Sequence, residues 1–252
     1  MQDEWRPGLY YHVIGKAIPG ELLFREERDY RRMLRKGFRD QYGLVFQIYV
    51  YCLLPNHFHL VVRTLYPDEI TARLAGLQRG LRPHQRAYYE GRIGWRDFVQ
   101  ASFAAATNGY AQYYNRRYGR RGQLFVKPTL HGLSTKDAAA PGEAFSRRLA
   151  AYVGLNYFKH GLAGAGEEYL WSSLRKPMYH FVELDIPLHW GTVAEYKAYH
   201  VAYLRRFGAQ MLAFDEERFF AALTPRRYVE EEARWVIEEG RRGGGARLVG
   251  VG

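Results

Sequence analysis

The run Leu54-Pro55-Asn56-His57-Phe58-His59-Leu60-Val61-Val62 constrains the fold of this chain more than any other segment. Its β-branched and aromatic residues predict a strand over 57–64. A second such run covers 44–54, and Pro55 marks a tight turn between the two. Successive strand side chains point to opposite faces, so His57 and His59 project together while Phe58 and Leu60 project the other way. The pattern calls for a sheet with one apolar face and one face carrying two imidazoles side by side. Such a pair suits a divalent metal and leaves coordination positions open for substrate oxygens. Taken alone, it is weak evidence, and solvent-facing or hydrogen-bonded strand histidines are the commoner reading.

A second constellation follows far downstream, in Ala151-Tyr152-Val153-Gly154-Leu155-Asn156-Tyr157-Phe158-Lys159-His160-Gly161. Phe145, Leu149, Tyr152 and Val153 recur at helical spacing, which predicts one helix from Ala144 with Gly161 as its stop. On that helix Tyr152 and Asn156 stand four apart, on one face. A tyrosine hydroxyl can act as a nucleophile, and the amide oxygen of Asn can serve as a third metal ligand. Two His, one Asn and a Tyr one turn away form the parts of a phosphodiester-cleaving site. The bland alternatives are a core tyrosine and a backbone-bonding asparagine at a helix end. His12 and His131 lack metal-ligand spacing, and His160 reads as a helix-terminating residue.

The rest of the chain supplies a frame for these parts. Residues 9–18 read as a first strand, and a helix follows from Arg25 to Tyr42 with Tyr30, Met33, Leu34 and Phe38 as its apolar stripe and Gly43 as its cap. Helices are expected over 68–90 and 97–118, then a turn at Arg120-Arg121-Gly122 and a strand over 123–131. The β-α-β-β opening points to an α+β fold: a ferredoxin-like or RRM-like antiparallel sheet with helices on one face and the His pair on the other, exposed face. Residues 1–176 read as the catalytic domain and 177–239 as a helical C-terminal extension, with helices over 192–207, 215–223 and 228–239. Residues 240–252 read as a Gly-rich tail.

Charge narrows the partner. The chain carries 37 Lys+Arg against 26 Asp+Glu, a net charge of +11, which favours a polyanion such as nucleic acid. No long apolar run or signal-peptide pattern supports a membrane partner, and cytoplasmic location is the expectation. Cys52 is the one cysteine, which excludes a disulfide framework or a cysteine zinc site and predicts a buried strand residue. Arg116, Arg117, Arg120 and Arg121 interleave with Tyr113, Tyr114 and Tyr118, and Lys127 follows on the next strand. Arg147 and Arg148 lie one turn ahead of Tyr152. These basic residues are the candidate contacts to a DNA backbone.

In order along the chain, Tyr11-His12-Val13, Leu54 to His59, Asn115 to Phe125, Tyr152 to Asn156, Lys159 to Leu162 and Tyr169 to Ser173 resemble the REP-associated tyrosine transposases. These are single-tyrosine members of the HUH endonuclease superfamily, and the resemblance runs from about residue 9 to 175. It implies that His57 and His59 bind Mg²⁺ or Mn²⁺, that Asn156 completes the metal site and that Tyr152 is the nucleophile. It further implies metal-dependent nicking and strand transfer of single-stranded DNA, bearing hairpin repeat ends, through a 5′-phosphotyrosine link. Related enzymes work as monomers or as homodimers that exchange the tyrosine helix. One departure stands out: the family continues Asn-Pro where this chain has Asn156-Tyr157, which removes the restriction a proline places on the residue before it. The competing readings are a catalytically silent hairpin-binding protein or an RNA-binding module that retains the fold.

Overall fold

Pro55 and Asn56 close the turn between β2 (Phe46–Leu54) and β3 (His57–Thr64), and the rest of the sheet is built outward from this hairpin. The computed structural model describes residues 4–77, 80–133, 143–163 and 169–173, together with Ala202 alone beyond them. β1 (Tyr10–Lys16) pairs with β3, and β4 (Thr129–Gly132) pairs with the other edge of β1. The strand order is β2-β3-β1-β4 with every pairing antiparallel, the ferredoxin-like arrangement expected from the sequence. β4 is shorter than predicted because Pro128 has no N–H to offer the ladder. Upstream of it, pairing survives only as an Ala17–Phe125 bridge.

One face of the sheet forms the main core. Tyr11, Val13, Tyr51, Leu53, Phe58, Leu60 and Val62 are all buried and pack against the helical layer. That layer comprises α1 (Glu27–Arg32), a π-helical stretch over Met33–Arg39, α2 (Pro67–Ala75), α3 (Pro83–Tyr89) and the long α4 (Trp95–Arg117). Gly15 pairs with Phe58 and has to be glycine, since a Cβ there would lie 2.3 Å from the ring. Two expectations need correction. The helix over 68–90 is broken because Pro83 opens a new helix and holds Arg82 extended. The helix over 25–42 passes into the π-helical stretch, and Gly43 sits in a 3₁₀ turn, not in a left-handed cap.

The other face is where the structure departs most from expectation. It is not exposed: α5 (Glu143–Gly154) packs on β2 and β3, and α6 (Asn156–Lys159) packs on β2. Leu149, Ala150, Ala151, Val153 and Leu155 are buried there. Helices therefore cover both faces. Residues 171–173 then run along the open edge of β2, with Leu53 N–H donating to the Trp171 carbonyl at 2.9 Å and Ser173 N–H to the Tyr51 carbonyl at 3.0 Å. This short segment covers an edge that would otherwise present unpaired backbone groups. Trp171 anchors it by stacking on Tyr30 at 4.4 Å.

All of the described residues fall in the first of the chain's two units, Met1–Leu212. Apart from Ala202, the expected C-terminal extension over 177–239 and the tail over 240–252 lie outside the described residues. Among the described residues, no helix is long and apolar enough to cross a membrane.

Candidate active site

The two-residue period of β3 brings His57 and His59 onto the face beneath α5, with ring centroids 5.0 Å apart. His57 is 7% exposed and His59 fully buried. Burial, with smaller contributions from His160, Lys16 and Lys159, pushes the His57 imidazole down to about 3. Burial and the neighbouring His57 and His12 hold His59 well below the usual histidine range. Both rings are therefore neutral across physiological pH, the state in which an imidazole offers a lone pair to a metal.

Each ring is tied at Nδ1. His57 Nδ1 lies 2.7 Å from Asn56 Oδ1. An amide oxygen only accepts, so His57 Nδ1 carries the hydrogen and Nε2 keeps its lone pair. His59 Nδ1 lies 3.0 Å from Nε2 of His12, which β1 places on the same face. His12 is itself fully buried, and its pKa is lowered to about 3 by burial and by His131. His131 stands next in line, with its ring 5.8 Å from that of His12.

Tyr152 descends on this row from α5. Its ring stands nearly perpendicular to His59 and His12, at 6.2 Å and 6.4 Å between centroids. The residue is 7% exposed. Lys159 Nζ lies 5.7 Å from the centre of the tyrosine ring, and His160 brings its ring to 4.9 Å from His57. Lys16 pairs with His57 in the β1–β3 register, so two ammonium groups flank the site. This is an electropositive setting suited to a phosphate.

Asn156 is not on a continuous helix with Tyr152, and the expected four-residue spacing on one face does not describe them. α5 ends at Gly154, Leu155 adopts φ −99° and ψ 7°, and α6 begins at Asn156. Ser172 Oγ donates to the Gly154 carbonyl at 2.6 Å, so the covering edge segment holds the break. Gly161 does end the helix as expected, at φ +65°. The departure from Asn-Pro has a local account: the backbone N–H of Tyr157, which a proline would lack, bonds the buried Cys52 sulfur. Cys52 pairs with His59 across β2 and β3, so the start of α6 is seated against the strand pair that carries the histidines. Asn156 is fully buried, and neither its Oδ1 nor its Nδ2 has a hydrogen-bond partner among the described residues. Leaving such a group unsatisfied costs about 1–3 kcal/mol.

Among the described residues, no three His, Cys, Asp or Glu side chains gather as a metal site. The donor set that fits is a different one: two neutral imidazoles and an amide oxygen, with room for phosphate oxygens to complete the shell.

The predicted DNA contacts divide. Arg120 is built into the protein, donating to Glu21 at 2.7 Å, Asn115 Oδ1 at 3.1 Å and the Gln123 carbonyl at 2.7 Å. Arg117 pairs with Glu26. Arg116, Arg121 and Lys127 are exposed. Arg116 lies in the last turn of α4, and the loop that carries Arg121 and Lys127 is stitched to the His57 end of the sheet, through Val126 N–H to the Lys16 carbonyl at 3.0 Å and Ile18 N–H to the Leu124 carbonyl at 2.9 Å. Arg147 and Arg148 lie on α5, but their side chains are outside what the structure describes. Sequence reasoning assigned no role to Asn56 or Lys16, and it offered Lys159 and His160 as either DNA contacts or a helix end, favouring the helix end for His160. The signal available for Lys16 and His12 was strand phase, which puts both on one face of β1.

Comparison with known proteins adds a likeness of fold. The chain is similar to a solved REP-associated tyrosine transposase bound to a REP hairpin, at 15% sequence identity and a TM-score of 0.40, over 77% of this chain and 93% of that one. No protein-family model matches the chain. No curated protein matches it either.

Proposed function

We propose that this protein nicks and rejoins single-stranded DNA by a metal-dependent transesterification in which Tyr152 is the nucleophile. The observation that carries the reading is the placement of the Tyr152 ring over His59 and His12, at 6.2 Å and 6.4 Å, beside neutral His57. His57 and His59 would hold the ion through Nε2, and Asn156 through Oδ1. A bound Mg²⁺ or Mn²⁺ supplies electrophilic polarisation of the scissile phosphate. The two imidazoles favour a transition ion such as Mn²⁺.

The chain's own residues perform the remaining work. Lys16 and Lys159 offset phosphate charge on either side of His57. The Tyr152 hydroxyl loses its proton as its oxygen attacks phosphorus. The bond to the 3′ oxygen breaks, and that oxygen takes up a proton to leave as a 3′-hydroxyl. The strand end stays joined to Tyr152 through its 5′ phosphate, so a later 3′-hydroxyl can attack and reseal without ATP. Tyr152 is 7% exposed, so a phosphodiester reaches its hydroxyl only when the groups that cover it move aside. Arg116, Arg121 and Lys127 are the exposed cations that track the backbone towards this end of the sheet. Hairpin-forming repeat ends are the substrate the sequence resemblance favours.

The test is incubation of the full chain with labelled hairpin and linear single-stranded oligonucleotides, in Mn²⁺, in Mg²⁺ and in EDTA. Metal-dependent cleavage that leaves a free 3′-hydroxyl supports the reading. Tight hairpin binding with no cleavage in either metal would replace it with a silent DNA-binding protein. Preference for RNA over DNA of the same sequence would replace it with an RNA-binding module.

A further inference from the structure

We infer that His12 is a positioning residue that aims His59 at the metal, an inference that rests on the proposed metal-dependent reading. His12 occupies the strand position two before Ile14, the residue paired with His59, so the two rings meet diagonally across β1 and β3. Nε2 of His12 and Nδ1 of His59 are 3.0 Å apart, with ring planes 15° from parallel. A neutral imidazole has one N–H and one lone pair. If His59 ligates through Nε2, its Nδ1 must carry the hydrogen and donate it to His12, whose Nε2 must then be the acceptor. Full burial of both rings leaves no water to take over that bond. The ring of His131 at 5.8 Å limits the movement of His12 from the far side. The parallel arrangement at His57, where Asn56 accepts from Nδ1 at 2.7 Å, shows that each ligand has its own anchor. Position 12 therefore requires an acceptor and not merely a side chain that fills space.

Removing such a partner weakens metal binding by roughly 10–100-fold. The experiment compares Mn²⁺ affinity, by titration calorimetry at fixed pH, for the full chain and for His12→Leu and His12→Gln, with thermal unfolding recorded on each. Leu fills similar space and accepts nothing. Gln places an acceptor oxygen near where Nε2 stands. The expected result is a 10–100-fold loss for His12→Leu and affinity within a few-fold of wild type for His12→Gln. Equal affinity in all three, or an equal loss in both folded variants, overturns the inference. If wild type itself binds no Mn²⁺, the metal reading fails and this inference with it; if wild type binds and His12→Leu binds as well, only the positioning role falls. Imidazole ¹⁵N spectra of the metal-free wild type decide the point even where a variant does not fold. They should show His59 protonated at Nδ1, and protonation at Nε2 would overturn the inference.

Discussion

His12, His57 and His59 are uncharged because their surroundings exclude water, and this makes folding sensitive to acid. The His12 and His57 pKa values fall from near 6.5 to about 3 in the folded chain, mainly through burial, and His59 shifts the same way. Below pH 6.5 the unfolded chain therefore binds protons that the folded chain refuses. The stabilisation is complete above 6.5 and is lost as pH falls from there towards 3, by up to about 1.4 kcal/mol per pH unit for each ring. Urea unfolding at pH 7 and pH 5 should show a marked loss at the lower value, and equal stability at both would contradict the neutral, buried assignment. Asn156 predicts the opposite combination. Its amide is buried without a hydrogen-bond partner among the described residues, so Asn156→Leu should leave the thermal midpoint unchanged or raise it while weakening Mn²⁺ binding tenfold or more. A sharp loss of stability would mean that the amide is structural.

At the level of elements, the Tyr152 helix depends on a segment later in the chain. Ser172 satisfies the Gly154 carbonyl at 2.6 Å where α5 breaks, and it lies beside Cys52 in the edge bridge. Ser172→Ala should cost about 1–3 kcal/mol and lower the rate of DNA cleavage beyond what the stability change explains, measured by urea unfolding alongside cleavage. Unchanged cleavage would show that the break does not position the site. The strands and the His-bearing face were legible in the sequence because a strand's two-residue period is written directly in the alternation of His57 and His59 with Phe58 and Leu60. The break at Leu155 was not, since it is set by a hydroxyl from another segment and nothing in the local helical pattern announces it. The cover over the His face was hidden for the same reason. His12 was legible only as a weak candidate near the site from the first strand, because the β1–β3 register, not its spacing to His57 or His59, brings it to His59.

For the molecule as a whole, the proposed DNA binding would depend on the net charge of +11 more than on any one arginine. Replacing Arg116, Arg121 and Lys127 together by Ala should reduce the slope of log affinity against log salt by about 2 for a single strand, at roughly 0.7 per phosphate contact. Arg120→Ala should instead lower the thermal midpoint, because that guanidinium ties Glu21, Asn115 and the Gln123 carbonyl together. An unchanged slope in the triple variant would move the DNA path elsewhere. The central claim, that Tyr152 attacks the phosphodiester, is tested most directly by mass spectrometry of peptides from the chain after reaction with a hairpin oligonucleotide and Mn²⁺. The account predicts a 5′-linked nucleotide on the Tyr152 peptide, absent from Tyr152→Phe. A nucleotide attached to any other residue, or cleavage that persists in Tyr152→Phe, would contradict it.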